Sequence, residues 1–284
     1  MSVPYAHVIG DPIAHSKSPL IHRFWLEKLG ISGEYSTHRV LAGSVADYAK
    51  SALTNPDWRG CNVTMPHKYE ALALADHVDS LARSIGAANT LVRDGDMFTA
   101  YNTDAPGFLE VLRDDLAEQH LFRMARILGT GGAARAIIAA LYDQGFTLIL
   151  AGRDPDKART MLDELAPNGE HHAVHIGHFA NPTDFAFDDR EGCLDLVVNA
   201  SPLGMRGQPP LAFDWSHAPP RSIAYDIVTD PIETPFLSGA RAAGLRTIDG
   251  YSMLIGQAAA AFEKFFGAPA PREYDAELRE RLMA

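Results

Sequence analysis

One run constrains the fold of this 284-residue chain more than any other: Arg126-Ile127-Leu128-Gly129-Thr130-Gly131-Gly132-Ala133-Ala134-Arg135-Ala136. Apolar residues lead into glycines, and the glycines into alanine-rich sequence, so the run reads as strand, tight turn and helix. Gly129, Gly131 and Ala134 fit the pattern G-x-G-x-x-A. The first glycine permits the turn, the second lets a diphosphate approach the backbone, and the small third residue lets helix and strand pack closely. Phosphates favour the helix N-terminus, where unpaired N–H groups and the helix dipole meet a negative charge. Glycine turns of this kind also serve packing alone. Here the next apolar run, Phe146-Thr147-Leu148-Ile149-Leu150-Ala151, completes a βαβ unit. That context favours a dinucleotide site on Gly129, Thr130, Gly131, Gly132 and Ala133.

The end of the second strand reads Ala151-Gly152-Arg153-Asp154-Pro155-Asp156-Lys157. An NAD site usually places an acidic side chain there, on the ribose 2′-hydroxyl. In this chain the position is small and Arg153 follows it, with Lys157 one helical turn beyond Asp154. A guanidinium can meet a 2′-phosphate and lie flat on an adenine. Asp154 and Asp156 argue for NAD, although both also suit the capped, acidic start of a helix. The balance favours NADP over NAD, with Gly152, Arg153, Asp154 and Lys157 on the adenosine side.

Apolar periodicity carries the strand–helix alternation through the rest of the chain. Strands are expected near 5–10, 35–40, 58–64, 88–93 and 97–101, with helices at 19–29 and 66–75 among them. Ser18 is a candidate N-cap, Pro19 suits the first helical position, and Gly30 marks the helix end. A long helix is expected at 105–119. The pattern then restarts, with strands near 126–128, 146–151, 194–199 and 222–228 and helices at 132–144, 155–165, 234–243 and 251–266. Residues 167–192 read as a surface segment with one strand. Such alternation builds largely parallel sheets, so the fold class is α/β.

A second informative run, Gly60-Cys61-Asn62-Val63-Thr64-Met65-Pro66-His67-Lys68, reads as a strand entering a helix, with Pro66 in the first helical position. Lys68 then lies at the positive end of the helix dipole, where a cation is disfavoured and proton release near neutral pH is favoured. Alone, such a lysine is most simply a solvated surface group; its neighbours make the case for proton transfer. The 25 Lys and Arg face 36 Asp and Glu, a formal net charge of −11 that repels nucleic acid and anionic membranes. An anionic ligand therefore needs locally concentrated cations and N–H groups. No apolar run is long enough to span a membrane, and the N-terminus lacks a signal-peptide pattern. Cys61 and Cys193 make no disulfide framework, so a reducing cytoplasm is the expected compartment. Cys61 reads as inert packing. No histidine or cysteine spacing matches a metal site, and no metal is expected. His15 and His67 flank the runs of interest, but in a chain with 12 histidines proximity gives neither a catalytic role.

Three further segments complete an ordered set: Gly10-Asp11-Pro12-Ile13-Ala14-His15-Ser16-Lys17-Ser18-Pro19, Gly86-Ala87-Ala88-Asn89-Thr90 and Tyr101-Asn102-Thr103-Asp104-Ala105-Pro106-Gly107. Together with Asn62 to Lys68, the glycine turn, Asn199-Ala200-Ser201-Pro202-Leu203-Gly204-Met205, Tyr225-Asp226-Ile227-Val228, Asp249-Gly250 and Gln257, the chain resembles the shikimate dehydrogenase family over almost its whole length. The resemblance implies two domains. Residues 1–104 and 251–284 would form a mixed or parallel α/β substrate-binding catalytic domain, rejoined by the C-terminal helices. Residues 105–250 would form an NADP-binding Rossmann domain facing it across a cleft. The implied reaction is reversible, NADPH-dependent reduction of 3-dehydroshikimate to shikimate, in the chorismate route to aromatic amino acids. Position by position, Ser16 and Ser18 match serines that hold the substrate carboxylate. Thr64, Asn89, Asp104 and Gln257 match groups that bind its hydroxyls, and Lys68 matches the catalytic lysine. Ile227 and Gly250 match positions near the nicotinamide. A monomer and a two-fold dimer are both compatible with the sequence.

The residue types suit that chemistry. Ketone reduction needs a hydride on carbon and a proton on oxygen, and a lysine ammonium can give and retake the proton. Asp104 can orient it, although an aspartate partner and a helix N-terminus act on the ammonium in opposite directions. A polyhydroxylated ligand needs short polar partners, and Ser, Thr, Asn and Gln supply them without the desolvation cost of further charges. Plainer roles compete: Ser18 and Asp104 stand where N-caps stand, Thr64 suits a strand end, and Gln257 the edge of the last helix. Asn89 falls in an expected strand, where asparagine is depleted. The pattern departs from the family at Thr229, where a substrate-binding tyrosine is usual; threonine keeps a hydroxyl without the ring, which leaves substrate affinity and identity open there. Gly152-Arg153-Asp154 also replaces a more usual Asn-Arg-Thr. Two alternatives remain: an NAD-preferring quinate/shikimate dehydrogenase, and a non-catalytic NADP-binding redox sensor. A sensor has no use for Lys68 and Asp104 as a proton-transfer pair.

Overall fold

The structure, a computed structural model, describes residues 3–188 and 191–284. The chain divides into two compact units, Met1–Gly107 with Ile255–Ala284, and Phe108–Leu254.

The first unit is built on β1 (Tyr5–Gly10), α1 (Ser18–Leu29), β2 (Glu34–Arg39), α2 (Val45–Leu53), β3 (Trp58–Val63), α3 (Lys68–Leu74), β4 (His77–Val78), α4 (Ser80–Ile85), β5 (Thr90–Asp94) and β6 (Met97–Tyr101). Its sheet runs β2-β1-β3-β5-β6-β4. β1 is parallel to β2 and β3, whereas β5 is antiparallel to both β3 and β6. Successive side chains of β1 serve opposite faces, as the two-residue strand period requires. Ile9 joins Val45, Ala49, Trp58 and Ala71 beneath α2 and α3. Ala6 and Val8 join Tyr35, Ala261 and Phe265 on the other face.

The second unit begins within α5 (Asp104–Glu110) and continues through α6 (Arg113–Ala117), β7 (Phe122–Leu128), α7 (Gly132–Asp143), β8 (Thr147–Gly152), α8 (Pro155–Leu165), β9 (His172–His175), β10 (Cys193–Asn199), β11 (Ile223–Asp226), α9 (Pro235–Ala242) and β12 (Arg246–Ile248). All six strands are parallel, in the order β12-β11-β10-β7-β8-β9. The order reverses between β7 and β10, the doubly wound arrangement that leaves a crevice at the carboxyl ends of those strands. Helices cover both faces, so the central strands are apolar throughout. Leu196 and Val198 enter one core and Val197 the other. The chain returns to the first unit within α10 (Gly250–Phe266) and ends in α11 (Asp275–Met283).

Four local expectations change. The helix expected at 105–119 is two helices: Leu112 N–H bonds Leu109 O at 3.0 Å, and fully buried Phe108 and Leu112 anchor this turn in the core. Glu118 is extended and stops α6. The helix expected from Pro66 starts at Lys68, because residues 64–67 make a turn closed by His67 N–H to Thr64 O, 3.0 Å. Ser18 is the first residue of α1 rather than its N-cap, and its N–H is taken by Ser16 Oγ at 3.3 Å. Asn89 stands just before β5 rather than within it. Gly30 does end α1, with φ +62°.

Candidate active site

Sheet topology gathers the first unit's polar residues. Because β1 and β3 are parallel, with Ile9 opposite Val63, the loops leaving both strands emerge side by side. Asp11 N–H reaches Met65 O at 3.1 Å, tying the segment that leads to Ser16 and Ser18 to the turn that carries Thr64. β5 runs the opposite way, so its start lies beside the end of β3, and Val63 N–H bonds Asn89 O at 2.7 Å. β6 then delivers Asn102, Thr103 and Asp104 to the same edge, with Asn89 N–H on Tyr101 O at 3.1 Å.

At this edge Lys68 Nζ donates to Asp104 Oδ2 at 2.5 Å. The two side chains are only 12% and 9% exposed, so the pair is largely removed from water. A desolvated pair needs further hydrogen bonds to hold its geometry. Asn89 Nδ2 supplies one to Asp104 Oδ1 at 2.9 Å, and also reaches Gln257 Oε1 at 3.4 Å. Asn102 Oδ1 accepts the N–H groups of Asp104 and Ala105, at 3.0 and 3.3 Å. Asn102 therefore does the capping work, and the Asp104 carboxylate is left for Lys68 and Asn89.

Gln257 reaches the group because Gly107 lets α5 lie against α10. A Cβ on Gly107 would meet the Gln257 Cα and Cβ at 2.8 Å each. His67 is buried and engages Val40 O through Nε2 at 2.7 Å, which makes it a brace between the turn and the end of β2. His15 is exposed. Burial pushes the Cys61 thiol up to about 12, so it is inert, as expected for a packed strand cysteine.

In the second unit, Gly129 has φ +128°, and a Cβ there would lie 2.6 Å from Ala200 O. Only glycine fits this turn. Nothing lies within 4 Å of the Cβ position of Gly131, so the loop is open outward at the start of the twelve-residue α7. Thr130 packs on Gly152, whose Cβ would stand 2.8 Å from Thr130 Cγ2. The end of β8 therefore has no room for an acidic side chain at Gly152 unless Thr130 moves. Arg153 and Lys157 are exposed and make no side-chain bond among the described residues. Asp154 Oδ1 caps α8, accepting from Asp156 N–H and Lys157 N–H at 3.0 and 3.1 Å. An open anion cradle, two unpaired cations and a glycine at the usual acidic position fit a dinucleotide with a 2′-phosphate.

Ile227, Thr229 and Gly250 also belong to the second unit, and a buried network shapes the segment holding the first two. Asp226 accepts from Asn199 Nδ2 at 3.0 Å, Val228 N–H at 3.0 Å and Thr234 Oγ1 at 2.7 Å. Burial raises the Asp226 carboxyl above its ordinary range, against the pull of those bonds. This network escaped the sequence reading, although Asn199 and Asp226 stand in runs already singled out. So did the part played by Asn102, since a buried amide carries no periodic signal. No group of His, Cys, Asp and Glu among the described residues could hold a metal ion, and no helix among them is long and apolar enough to cross a membrane.

Comparison with known proteins agrees with this architecture. Residues 8–91 match the shikimate dehydrogenase substrate binding domain, and residues 250–277 the shikimate 5'-dehydrogenase C-terminal domain. The chain is 46% identical to the NADP(+) shikimate dehydrogenase of Sphingopyxis alaskensis, over 99% of this chain and 97% of that one. It is 42% identical to that of Methylobacterium radiotolerans, over 100% and 98%. The crystal structure of shikimate 5-dehydrogenase from Thermus thermophilus, in complex with NADP(H) and shikimate, aligns with a TM-score of 0.80 at 32% identity, covering 99% of this chain and 100% of that one. With nearly half its residues shared with a relative along its full length, this chain belongs to the shikimate dehydrogenase family.

Proposed function

We propose that this protein catalyses the reversible, NADPH-dependent reduction of 3-dehydroshikimate to shikimate, with Lys68 as proton donor. The observation that carries the reading is the 2.5 Å pair of Lys68 and Asp104, sequestered from water and held by Asn89. A purely structural surface ion pair has no need of such enclosure.

NADPH, when bound, would supply a hydride for the carbonyl carbon. Lys68 Nζ gives a proton to the carbonyl oxygen as negative charge develops there, and retakes it when shikimate is oxidised. Asp104 orients the ammonium so that its remaining N–H groups can address the substrate. Thr64, Asn89 and Gln257 supply short polar contacts for the ring hydroxyls. Ser16 and Ser18 lie at the N-terminus of the twelve-residue α1, where a carboxylate is favoured. Ser16 accepts the Ser18 N–H, which leaves its own hydroxyl proton to give. We assign the first unit to substrate and the second to cofactor. Gly129 to Ala133 would hold the pyrophosphate, Gly152, Arg153, Asp154 and Lys157 the adenosine 2′-phosphate side, and Ile227 and Gly250 the nicotinamide. Thr229 would offer the substrate a hydroxyl where the family usually offers a tyrosine.

Initial rates with NADPH and NADH, each on 3-dehydroshikimate and 3-dehydroquinate, test this reading. The highest kcat/KM is expected for NADPH with 3-dehydroshikimate, about tenfold or more above NADH, the scale of a charge-assisted contact to the 2′-phosphate. A higher value for 3-dehydroquinate with NADH would instead identify a quinate enzyme. Tight NADP binding without turnover of either substrate would identify a non-catalytic module.

A further inference from the structure

We propose that Thr90 is a positioning residue for the Lys68–Asp104 pair: its hydroxyl, bonded to Asn89 Oδ1, helps hold the amide with its NH2 toward Asp104. The proposal rests on the reading of Lys68 and Asp104 as the proton-transfer pair. An asparagine amide has nearly the same shape in either orientation, so only its hydrogen-bond partners decide which end meets a neighbour. Asn89 must offer its NH2 to Asp104, because its oxygen in that place would set two acceptors against each other.

Asp104 and the Thr103 N–H call for this orientation directly, and a series of buried side chains behind Asn89 reinforces it. Tyr35 is fully buried, and burial holds its phenol well above its ordinary range, so it keeps its proton. It donates to Asn62 Oδ1 at 2.6 Å. That turns Asn62 Nδ2 toward Thr90 Oγ1, 3.0 Å away. A hydroxyl that accepts there has one proton to pass on, and Asn89 Oδ1 receives it at 3.0 Å. Thr103 N–H points at the same Asn89 oxygen, at 2.7 Å. Asn89 Nδ2 is then left facing Asp104 Oδ1 at 2.9 Å, while Oδ2 receives Lys68. Every donor in the series Tyr35, Asn62, Thr90, Asn89 points toward the carboxylate. All four residues are buried, so water is poorly placed to substitute for a missing member. Thr90 is the pivot, because its hydroxyl stands between two amides, accepting from Asn62 and donating to Asn89 through one atom.

The test is kinetic, on the full-length enzyme with shikimate and NADP+. Thr90→Val removes the hydroxyl and keeps the shape. Its kcat is expected to fall about tenfold, the effect of orphaning one buried polar partner, with KM for shikimate changed less than about twofold. Thr90→Ser restores the hydroxyl and is expected to keep kcat within about twofold of wild type. In an Asn89→Ala background, adding Thr90→Val should cost nothing further, because Thr90 acts through Asn89. A Thr90→Val enzyme with lowered thermal stability but unchanged kcat would overturn the proposal. So would an undiminished tenfold loss in the Asn89→Ala background, or a failure of serine to rescue. Should Thr90→Val not fold, Tyr35→Phe removes the first donor of the series while keeping the ring. It is expected to lose about threefold in kcat, again only when Asn89 is present, and an unchanged kcat would overturn the proposal. If wild type itself fails to oxidise shikimate, the assigned reaction fails rather than the relay.

Discussion

His22 illustrates how far burial alone can govern a single residue. Its imidazole is fully buried, stacked on Tyr35 at 3.9 Å between centroids and 1° between planes, and neither ring nitrogen has a hydrogen-bond partner. Burial lowers its pKa from 6.5 to about 3. Above pH 6.5 the ring is neutral in both folded and unfolded chains. As pH falls below 6.5 the unfolded chain takes up a proton that the folded one refuses, so stability is lost until the folded value near 3 is reached. The loss is about 1.4 kcal/mol per pH unit, or about 2 kcal/mol by pH 5. Urea unfolding of wild type and His22→Phe at pH 7 and pH 5 checks this. The variant should be no less stable at pH 7, where it removes two unpaired buried nitrogens, and should lose about 2 kcal/mol less than wild type on acidification. Parallel losses in the two proteins would contradict it. None of this is legible in the sequence, where His22 is simply one polar residue on a helix. Ser18 and Asp104 are a similar case: their positions suit capping, but Ser18 already lies inside α1 with its N–H on Ser16 Oγ, and Asn102 takes the first N–H groups of α5.

Among the elements, α5 and α10 are the pair whose contact matters most to the proposed site. Gly107 allows it, because any side chain there would run into the α10 backbone at Gln257. Gly107→Ala should force these helices apart at a cost of about 1–3 kcal/mol and withdraw Gln257 from Asn89. A rise in KM for shikimate together with a lower thermal midpoint is expected. Wild-type KM and midpoint would show that the helices tolerate a methyl group. Elements with strong apolar signals were legible in the sequence: β7, β8 and β10 as buried runs, and the long helices α1, α7 and α10 by their period. The missed ones explain themselves. β4 and β12 have two and three residues. α2 does carry an apolar stripe, Val45, Tyr48, Ala49, Ala52 and Leu53, but over only nine residues, whereas α11 buries just Leu278 and Leu282 amid charged neighbours. Proline at a helix start and proline in the preceding turn look alike in sequence, and here Pro66 belongs to the turn, two residues before α3.

At the scale of the whole molecule, an acidic chain of net charge −11 must place its cations deliberately to serve anionic ligands. Lys68 is enclosed beside Asp104, whereas Arg153, just after β8, and Lys157, in the first turn of α8, make no side-chain bond among the described residues. The Rossmann order of the second unit was legible because parallel, two-face-buried strands and a glycine turn leave strong marks. For the first unit the resemblance left a mixed or a parallel sheet open, and the sheet is mixed: β5 runs antiparallel to both β3 and β6, a direction that apolar patterning does not encode. The most direct test of the whole account is kcat for shikimate oxidation with NADP+ in wild type and Lys68→Ala. Loss of the proton-transfer group predicts a fall of about 10²–10⁴-fold, with KM for shikimate changed only a few-fold. Equal kcat in the two proteins would contradict the assignment of Lys68, and with it the chemistry proposed for this fold.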